Sequence, residues 1–330
     1  MRLLIVGGVA GGMSAAARAR RLDEDAEIIV FEKGPHVSFA NCGMPYFVGG
    51  TIEDRSDLLV QTPERLRRRF NLDVRVRNEV TVIDRERKRV SVRDLKRQRT
   101  YTEAYDRLVL APGAVPIRPP IPGVDEEGVH VLRDLTDMDR ICEALERHPR
   151  GRAVVIGGGY IGLEMAENLA ARDIGVSVVE MLPQVMPALD PEMAQPIHRH
   201  LREKGVDLHL ANAVARLEGG ADGLTVHLED GLWLPCDFAI LSVGVRPNTR
   251  LAEEAGLEIG ETGGIKVDEH LRTSDPDIYA VGDAIEVRNY VTGRPALVPL
   301  AGPANRQGRI AADNVCGRDR TFRGSQGTGI

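Results

Sequence analysis

Two segments of the chain, 150 residues apart, share one pattern of hydrophobic and polar positions. Each begins with a short apolar run rich in β-branched residues, LLIV at 3–6 and AVVI at 153–156, which predicts a buried strand. Glycines follow, then a stretch compatible with a helix, then a second apolar strand that ends in an acid, Glu32 or Glu180. This order of elements predicts a dinucleotide-binding unit, and the chain contains it twice.

The glycines of such a turn have separate tasks. The first permits a tight turn, the second lets the backbone approach a pyrophosphate, and the last lets the helix pack on the strand. These positions are filled by Gly157, Gly159 and Gly162 in the second copy, and by Gly7, Val9 and Gly12 in the first. One such turn could be a tight turn without a ligand. Two copies, each with an acid 18–20 residues after its last glycine, predict two bound dinucleotides.

The acid of the second copy also bears on the choice of nucleotide. A carboxylate at Glu180 repels a 2′-phosphate, and the MLPQ that follows contains no arginine. The sequence therefore favours NADH and leaves NADPH as the alternative.

Composition narrows the class of partner. The 330 residues, 42% of them hydrophobic, suffice for two cores, and 35 glycines with 4% aromatics are typical of a nucleotide-binding α/β protein. A net charge of −6, with acids and bases interspersed, argues against nucleic acid as a partner. The longest apolar runs are too short to span a membrane, and the first predicted strand begins at Arg2, without room for a signal peptide. The four cysteines form no CxxC pair, so we expect no metal site and a reducing, cytoplasmic location.

Two further segments resemble strand ends. LVLAPGA at 108–114 runs into a Pro-Gly turn, and TSDPDIYAVGDA at 273–284 ends in a Gly-Asp turn. Each alone could be an ordinary strand end. Together with the two nucleotide patterns they resemble the flavin-dependent pyridine-nucleotide disulfide oxidoreductases, from Met1 to near the C-terminus.

That resemblance implies an α/β fold with two Rossmann-like dinucleotide-binding domains. The FAD-binding domain would be discontinuous, at 1–118 and 246–330, and the NAD(P)H-binding domain would be inserted at 119–245. The boundaries fall near PIRPPIPG and VGVRPN, where proline and glycine interrupt regular structure.

The resemblance also assigns cofactor contacts. For FAD these are Gly7, Val9, Ala10, Gly11, Gly12, Glu32, Lys33, Val80, Ala111, Gly113, Asp283 and Ala301. Glu32 would bind the adenosine ribose, Val80 would offer backbone to the adenine, Asp283 would bind the ribityl or pyrophosphate part, and Ala301 would open a helix near the flavin ring. For NAD(P)H they are Gly157, Gly159, Tyr160, Ile161, Gly162, Glu180 and Gly244, with Tyr160 over the flavin face where nicotinamide stacks.

One cysteine separates this chain from most of that family. Members usually carry CxxxxC beside the flavin, whereas CGMPYF at 42–47 has Cys42 and no second cysteine, which excludes a dithiol there. The stretch HVSFANCGMPYFVGG resembles the single-cysteine branch, which contains coenzyme A-disulfide reductases, coenzyme A-persulfide reductases, and NADH oxidases and peroxidases. Ser38, Asn41, Pro45 and Tyr46 fit the coenzyme A-linked members best.

A lone cysteine accepts electrons from a flavin only after it has been oxidised. A mixed disulfide with a small thiol is one such state, and a sulfenic acid is another. The first predicts an NAD(P)H-dependent reductase of coenzyme A disulfide, persulfide or polysulfide; the second predicts an NADH oxidase or peroxidase. A flavin-binding redox sensor is a third, non-enzymatic hypothesis. Pro45 at the first position of a helix would place Cys42 near the helix N-terminus, which favours a thiolate. We expect Cys142, Cys236 and Cys316 to be packing residues.

Coenzyme A carries phosphates, so its site should be basic. The resemblance assigns it to Ser14, Arg18, Arg21, Ser38 and Asn41. Without the resemblance, the basic end of this helix would be a solvated surface. The RLRRR run at 65–69 is a second candidate.

The chain ends in GSQGTGI, which does not resemble a completed domain. The resembling enzymes continue with a dimerisation domain, so we expect that domain to be absent, the full-length protein to be a homodimer, and this shorter chain to bind FAD with poor turnover.

Overall fold

A computed structural model describes residues 1–220 and 223–327; the last three residues of the GSQGTGI end lie outside it. The described chain divides into two compact units. The first unit comprises Met1–Phe39, Leu59–Val115 and Arg246–Ile330, and the second comprises Ala40–Leu58 and Pro116–Val245.

The described chain contains both helices and strands, and several strands follow one another without an intervening α-helix. The α-helices are α1 (Ala10–Leu22), α2 (Met44–Val48), α3 (Pro63–Phe70), α4 (Leu135–Arg147), α5 (Tyr160–Ala170), α6 (Pro191–Glu203), α7 (Arg250–Glu254) and α8 (Ala301–Val315). The strands of the first half are β1 (Arg2–Val6), β2 (Glu27–Glu32), β3 (Asp73–Val76), β4 (Asn78–Asp84), β5 (Arg89–Asp94), β6 (Arg99–Ala104), β7 (Arg107–Leu110), β8 (Ala114–Pro116), β9 (Val129–His130) and β10 (Arg152–Ile156). Those of the second half are β11 (Gly175–Glu180), β12 (Asp207–Leu210), β13 (Val214–Gly220), β14 (Gly223–Leu228), β15 (Trp233–Cys236), β16 (Phe238–Leu241), β17 (Val245–Pro247), β18 (Ile265–Lys266), β19 (Ile278–Ala280), β20 (Ile285–Arg288) and β21 (Pro295–Ala296).

The first unit is built on a parallel sheet with the strand order β19-β7-β1-β2-β3. Its central strand β1 is apolar on both faces, and Leu3, Leu4 and Ile5 have no exposed surface, as expected for a parallel strand covered on both sides. Strands β4, β5 and β6, which come between β3 and β7 in the sequence, form a separate antiparallel sheet. A smaller sheet has the order β18-β20-β21.

The second unit repeats this plan. Its parallel sheet has the order β12-β11-β10-β16-β9, and the antiparallel sheet β13-β14-β15 precedes β16 in the chain as β4-β5-β6 precedes β7. In each unit the central strand, β1 or β10, leads into the glycine-rich turn and is paired with the strand that ends in the acid. The predicted α/β class with two dinucleotide-binding folds is confirmed.

Helices α1 and α8 pack closely in the first unit. Gly308 permits this close approach, because a Cβ there would lie 2.2 Å from the backbone oxygen of Gly11. Ala15, Ala311 and Ala312 continue the contact with small, fully buried side chains. The predicted helix at Ala301 is thereby joined to the helix that follows the first glycine-rich turn.

Residues 40–58 group with the second unit, whereas the boundaries predicted from the sequence placed them in the FAD-binding domain. Helix α2 packs on α4 and α5, and Gly49 permits this because a Cβ there would lie 2.1 Å from Asn168 Oδ1. Arg55 donates to both carboxylate oxygens of Asp139, each at 2.8 Å. These partners are far apart in sequence, so no local pattern reveals them. The crossing predicted at 118/119 falls at 115/116, three residues earlier.

Within residues 1–220 and 223–327, none of the helices combines the length and the apolar character that crossing a membrane requires.

Candidate functional site

The first glycine-rich turn joins β1 to α1 in a conformation that requires glycine at two of its positions. Gly7 has a φ of 102°, and a Cβ on it would lie 2.0 Å from the backbone oxygen of Ala111. A Cβ on Gly12 would lie 1.9 Å from the oxygen of Gly7, so α1 could not approach the turn. The turn is therefore held close to both neighbouring backbones.

The second turn, between β10 and α5, has the same geometry. Gly157 has a φ of 108°, and a Cβ on it would lie 2.5 Å from the backbone oxygen of Ser242. Gly159, in contrast, has a φ of −80°, and a Cβ there would meet no described atom within 4 Å. Val9, at the same position of the first copy, has a φ of −109°. A side chain is thus sterically acceptable there, which explains the departure at Val9.

Each acid predicted to bind a ribose is oriented by two backbone N–H groups. Gly8 donates to Glu32 Oε2 at 2.8 Å, and Gly34 donates to Oε1 at 2.7 Å. In the second unit Gly158 donates to Glu180 Oε2 at 2.7 Å, and the backbone of Leu182 donates to Oε1 at 2.9 Å. The remaining lone pairs of each carboxylate can accept ribose hydroxyls.

The two helices after the turns start without a capping side chain among the described residues. The N-cap positions of α1 and α5 are Val9 and Gly159, and neither first turn contains an acid. The first backbone N–H groups, from Ala10 onward and from Tyr160 onward, are available to an anion such as a pyrophosphate. Tyr160 is 62% exposed at the start of α5.

The other predicted FAD residues also lie in the first unit. Gly113 has a φ of 69° and accepts from the backbone of Asn248 at 2.9 Å. Strand β4 has a register shift between Val80 and Val82, so its backbone is irregular where the adenine contact is expected. Lys33 pairs its Nζ with Glu79 at 3.1 Å, and its side chain is largely exposed.

Asp283 follows β19 in a short 3-10 turn that α8 supports. Gln307 of α8, only 1% exposed, accepts the Gly282 N–H at 2.7 Å. Burial raises the pKa of the Asp283 carboxyl, so the group is costly to keep charged in the absence of a hydrogen-bonding partner. A ligand hydroxyl would compensate for that cost. Ala301 is exposed at the first turn of α8. The turns, the oriented acids and Asp283 therefore fit the dinucleotides expected from the sequence.

The predicted NAD(P)H residues all lie in the second unit. Gly244, with a φ of 104°, lies after β16 and accepts the Ile117 N–H at 3.0 Å. Gly162 lets α5 pack on the turn, because a Cβ there would lie 2.0 Å from the oxygen of Gly157. Ile161 is 38% exposed beside Tyr160.

Cys42 is the exposed cysteine of the chain. It lies in a 3-10 turn, Asn41–Gly43, immediately before α2. That helix begins at Met44, so Pro45 is its second residue, whereas the sequence predicted it as the first. The helix has only five residues. Asn41 Nδ2 donates to the backbone oxygen of Arg133 at 3.4 Å.

The other three cysteines are less accessible. Burial raises the pKa of Cys142 to about 11 and that of Cys236 to about 12, and it also raises the pKa of Cys316. Nearby acids raise the values for Cys142 and Cys316 further. These sulfurs remain protonated thiols at neutral pH and are poor nucleophiles.

The residues predicted to contact coenzyme A are divided between the units. Ser14 donates from Oγ to Asn305 Oδ1 at 2.7 Å, and Arg18 donates from Nη2 to Asp313 at 2.8 Å. Arg21 is exposed and lies over the ring of Phe70 at 5.6 Å. Ser38, with a φ of 48°, precedes Phe39 at the end of a first-unit segment, whereas Asn41 belongs to the second unit.

A cavity of about 470 Å³ lies beside Arg18 in the first unit. Its lining is mainly basic and comprises Arg18, Arg306, Arg309, Ile310, Asp313, Arg320 and Thr321. Four guanidinium groups and one carboxylate leave an excess of positive charge, which suits a phosphate-bearing ligand. We call these seven residues the basic cavity. Arg306, Arg309 and Arg320 were not predicted from the sequence. The available signal was the three-residue spacing of Arg306 and Arg309, which places both on one side of α8.

Comparison with known proteins places the chain in a family. Residues 1–304 match the model of the pyridine nucleotide-disulphide oxidoreductases. An NADH oxidase of Methanocaldococcus jannaschii is 38% identical over 98% of this chain and 71% of its own length. A coenzyme A disulfide reductase of Staphylococcus haemolyticus is 33% identical over the whole chain and 73% of its own length.

Solved structures agree. Reduced Bacillus anthracis CoADR-RHD superimposes with a TM-score of 0.96 at 49% identity, over 99% of this chain and 59% of that one. A NAD-dependent persulfide reductase from A. fulgidus superimposes with a TM-score of 0.94 at 41% identity, over 98% of this chain and 60% of that one. The chain thus spans about three-fifths of these two structures. The resemblance found in the sequence is confirmed: the chain belongs to the pyridine nucleotide-disulphide oxidoreductase family.

Proposed function

We propose that this chain contains the FAD- and NAD(P)H-binding parts of a reductase of coenzyme A disulfide or coenzyme A persulfide, with Cys42 as its redox-active residue. The observation that carries the proposal is that Cys42 is exposed and forms no disulfide, in a chain with two dinucleotide-binding turns. Burial raises the pKa of the other three cysteines, so their sulfurs remain thiols. The names of the relatives, coenzyme A disulfide reductase and persulfide reductase, support this substrate class.

The chemistry at the cysteine balances with one small disulfide. The Cys42 thiolate attacks one sulfur of the disulfide, an S–S bond forms to Cys42, and one coenzyme A thiolate leaves. Two electrons and one proton then cleave this mixed disulfide, which releases the second thiol and restores the Cys42 thiolate. Bound FAD would supply the two electrons, taken from NAD(P)H as hydride. Glu32 and Glu180 would each hold an adenosine ribose, and the turns at Gly7 and Gly157 would bind the pyrophosphates.

Intact mass of the purified chain, with and without reductant, tests this proposal. We expect an adduct of coenzyme A mass on Cys42 after treatment with coenzyme A disulfide, lost on reduction and absent from Cys42→Ser. An adduct of one oxygen on Cys42 would favour an NADH oxidase or peroxidase, the function for which one relative is named. A protein without any adduct and with unchanged activity in Cys42→Ser would contradict both.

The basic cavity supports coenzyme A as the thiol. Arg309→Ala is expected to raise the KM for coenzyme A disulfide about tenfold, because charged hydrogen bonds to phosphate are lost. The KM for a disulfide of pantetheine, which lacks the pyrophosphate and the 3′-phosphate of coenzyme A, should change little. Steady-state kinetics with both substrates measure this, and Arg87→Ala, at an exposed arginine of the β4–β5 turn, is the control. An equal rise for both disulfides would contradict a phosphate contact at this cavity.

We also propose that NADH is the preferred nucleotide, that the protein is cytoplasmic and that it forms a homodimer. The oriented, buried carboxylate of Glu180 favours NADH over NADPH, because a 2′-phosphate would be repelled. All four cysteines are unpaired, which is compatible with a reducing cytoplasm. A homodimer is proposed on the family resemblance.

A further inference from the structure

A buried histidine of the second unit supports the loop that follows the acid of β11. His198, on α6, is 2% exposed, and its Nε2 accepts the backbone N–H of Val185 at 3.1 Å. Val185 is fully buried in the loop at 181–190, so its N–H has no access to water. Because Nε2 accepts this bond, the ring is neutral and carries its hydrogen on Nδ1.

The same loop contacts the glycine-rich turn directly. Met186 donates from its backbone to the oxygen of Gly158 at 2.8 Å. The Val185 side chain covers Gly158, since a Cβ on that glycine would lie 2.8 Å from Val185 Cγ1. Gly158 in turn donates to Glu180 Oε2. A continuous path of contacts therefore runs from His198 through the loop and the turn to the acid.

The surroundings of His198 keep it in the accepting form. Burial lowers the pKa of His198, and the positive charge of Arg202, one turn further along α6, lowers it further. If the acceptor were removed, the buried Val185 N–H would remain unpaired, and an unpaired buried donor is costly. The loop would then move to find another partner, and Gly158 and Glu180 would lose their support.

We propose that His198 is a positioning residue for the pyridine nucleotide, acting through Val185 and Gly158 to orient Glu180. The inference rests on the proposed binding of NAD(P)H in the second unit. The hydrogen bond of His198 is made with Val185, so its effect on the nucleotide is indirect and should appear in nucleotide affinity and not in the chemical step.

Two substitutions that introduce a carboxamide at position 198 distinguish the effect of the hydrogen bond to Val185 from the effect of having any polar side chain there. In His198→Gln the side-chain oxygen can reach the position of Nε2, whereas in His198→Asn it is one bond too short. His200→Asn, at an exposed position of the same helix, is the matched control, and His198→Leu removes the acceptor altogether. Thermal unfolding establishes which variants are folded. If His198→Leu does not fold, the Gln and Asn variants decide.

Calorimetric titration of the FAD-loaded protein with NAD+ and the rate of flavin reduction at varied NADH provide the readouts. We expect His198→Asn to bind NAD+ about fivefold more weakly and to raise the KM for NADH similarly, as the loss of one hydrogen bond implies. Its limiting rate at saturating NADH should stay near that of the wild type, and His198→Gln should restore the affinity. Hydrogen exchange at the Val185 amide should be faster in the Asn variant than in the Gln variant.

Some results would contradict the role of His198 alone, and others would contradict the proposed function. Unchanged affinity in His198→Asn, equal weakening in the Gln and Asn variants, or equal weakening in His200→Asn would each overturn the role of His198. A wild-type protein that binds no NAD+ and whose flavin is not reduced by NADH would overturn the proposed function, and the inference with it.

Discussion

Cys42→Ser is expected to lower kcat/KM for NADH-dependent reduction of coenzyme A disulfide by at least about a thousandfold, the scale seen when a covalent nucleophile is removed. Serine has nearly the same size, but its hydroxyl is not ionised at neutral pH and cannot form a disulfide. Since Cys42 is exposed before a five-residue helix, the substitution should leave folding intact. The measurement is substrate reduction followed by NADH consumption, with the FAD content of each protein determined beforehand.

Cys142→Ser provides the control for this prediction. Burial raises the pKa of Cys142 to about 11, so its sulfur contributes little thiolate, and we expect activity close to the wild type. Reduction of bound flavin by NADH should persist in Cys42→Ser, because that step precedes the sulfur chemistry. Equal turnover in Cys42→Ser and the wild type would exclude Cys42 as the redox-active residue.

Alanine in place of the first glycine of each turn should impair the binding of one cofactor and leave the binding of the other intact. Gly7→Ala is expected to purify with less than about a tenth of the wild-type FAD, because its Cβ would overlap the Ala111 oxygen at a φ of 102° and strain the pyrophosphate turn. Gly157→Ala should retain FAD but require at least about tenfold more NADH for flavin reduction, since the same overlap occurs with Ser242. Flavin absorbance per protein and flavin reduction at varied NADH measure the two effects.

Gly175→Ala is the matched control. This glycine begins β11, and a Cβ on it would make only ordinary contacts, the nearest being Arg152 Cγ at 3.5 Å. Both cofactors should bind as in the wild type. Loss of FAD in Gly157→Ala with a normal NADH response in Gly7→Ala would reverse the assignment of the two units.

Much of the cofactor-binding fold was predictable because its signals are local. A buried parallel strand, a glycine-rich turn and a helix start are adjacent in sequence, and each has its own residue pattern. The turn geometry then follows from steric exclusion at Gly7 and Gly157. The substitution at Val9 was left unexplained by the sequence, because only the negative φ at that position shows that a side chain is acceptable.

The sequence by itself determined the two dinucleotide patterns, the acids that end β2 and β11, and the lone Cys42, since each is defined by residues close together in the chain. Tertiary structure alone decided that Arg18 is paired with Asp313, 295 residues away, in a cavity with three further arginines. It also decided that residues 40–58 pack on α4 and α5, and that His198 supports Val185. Such contacts depend on which surfaces meet when helices pack, and a one-dimensional pattern does not record which partner satisfies a buried polar group.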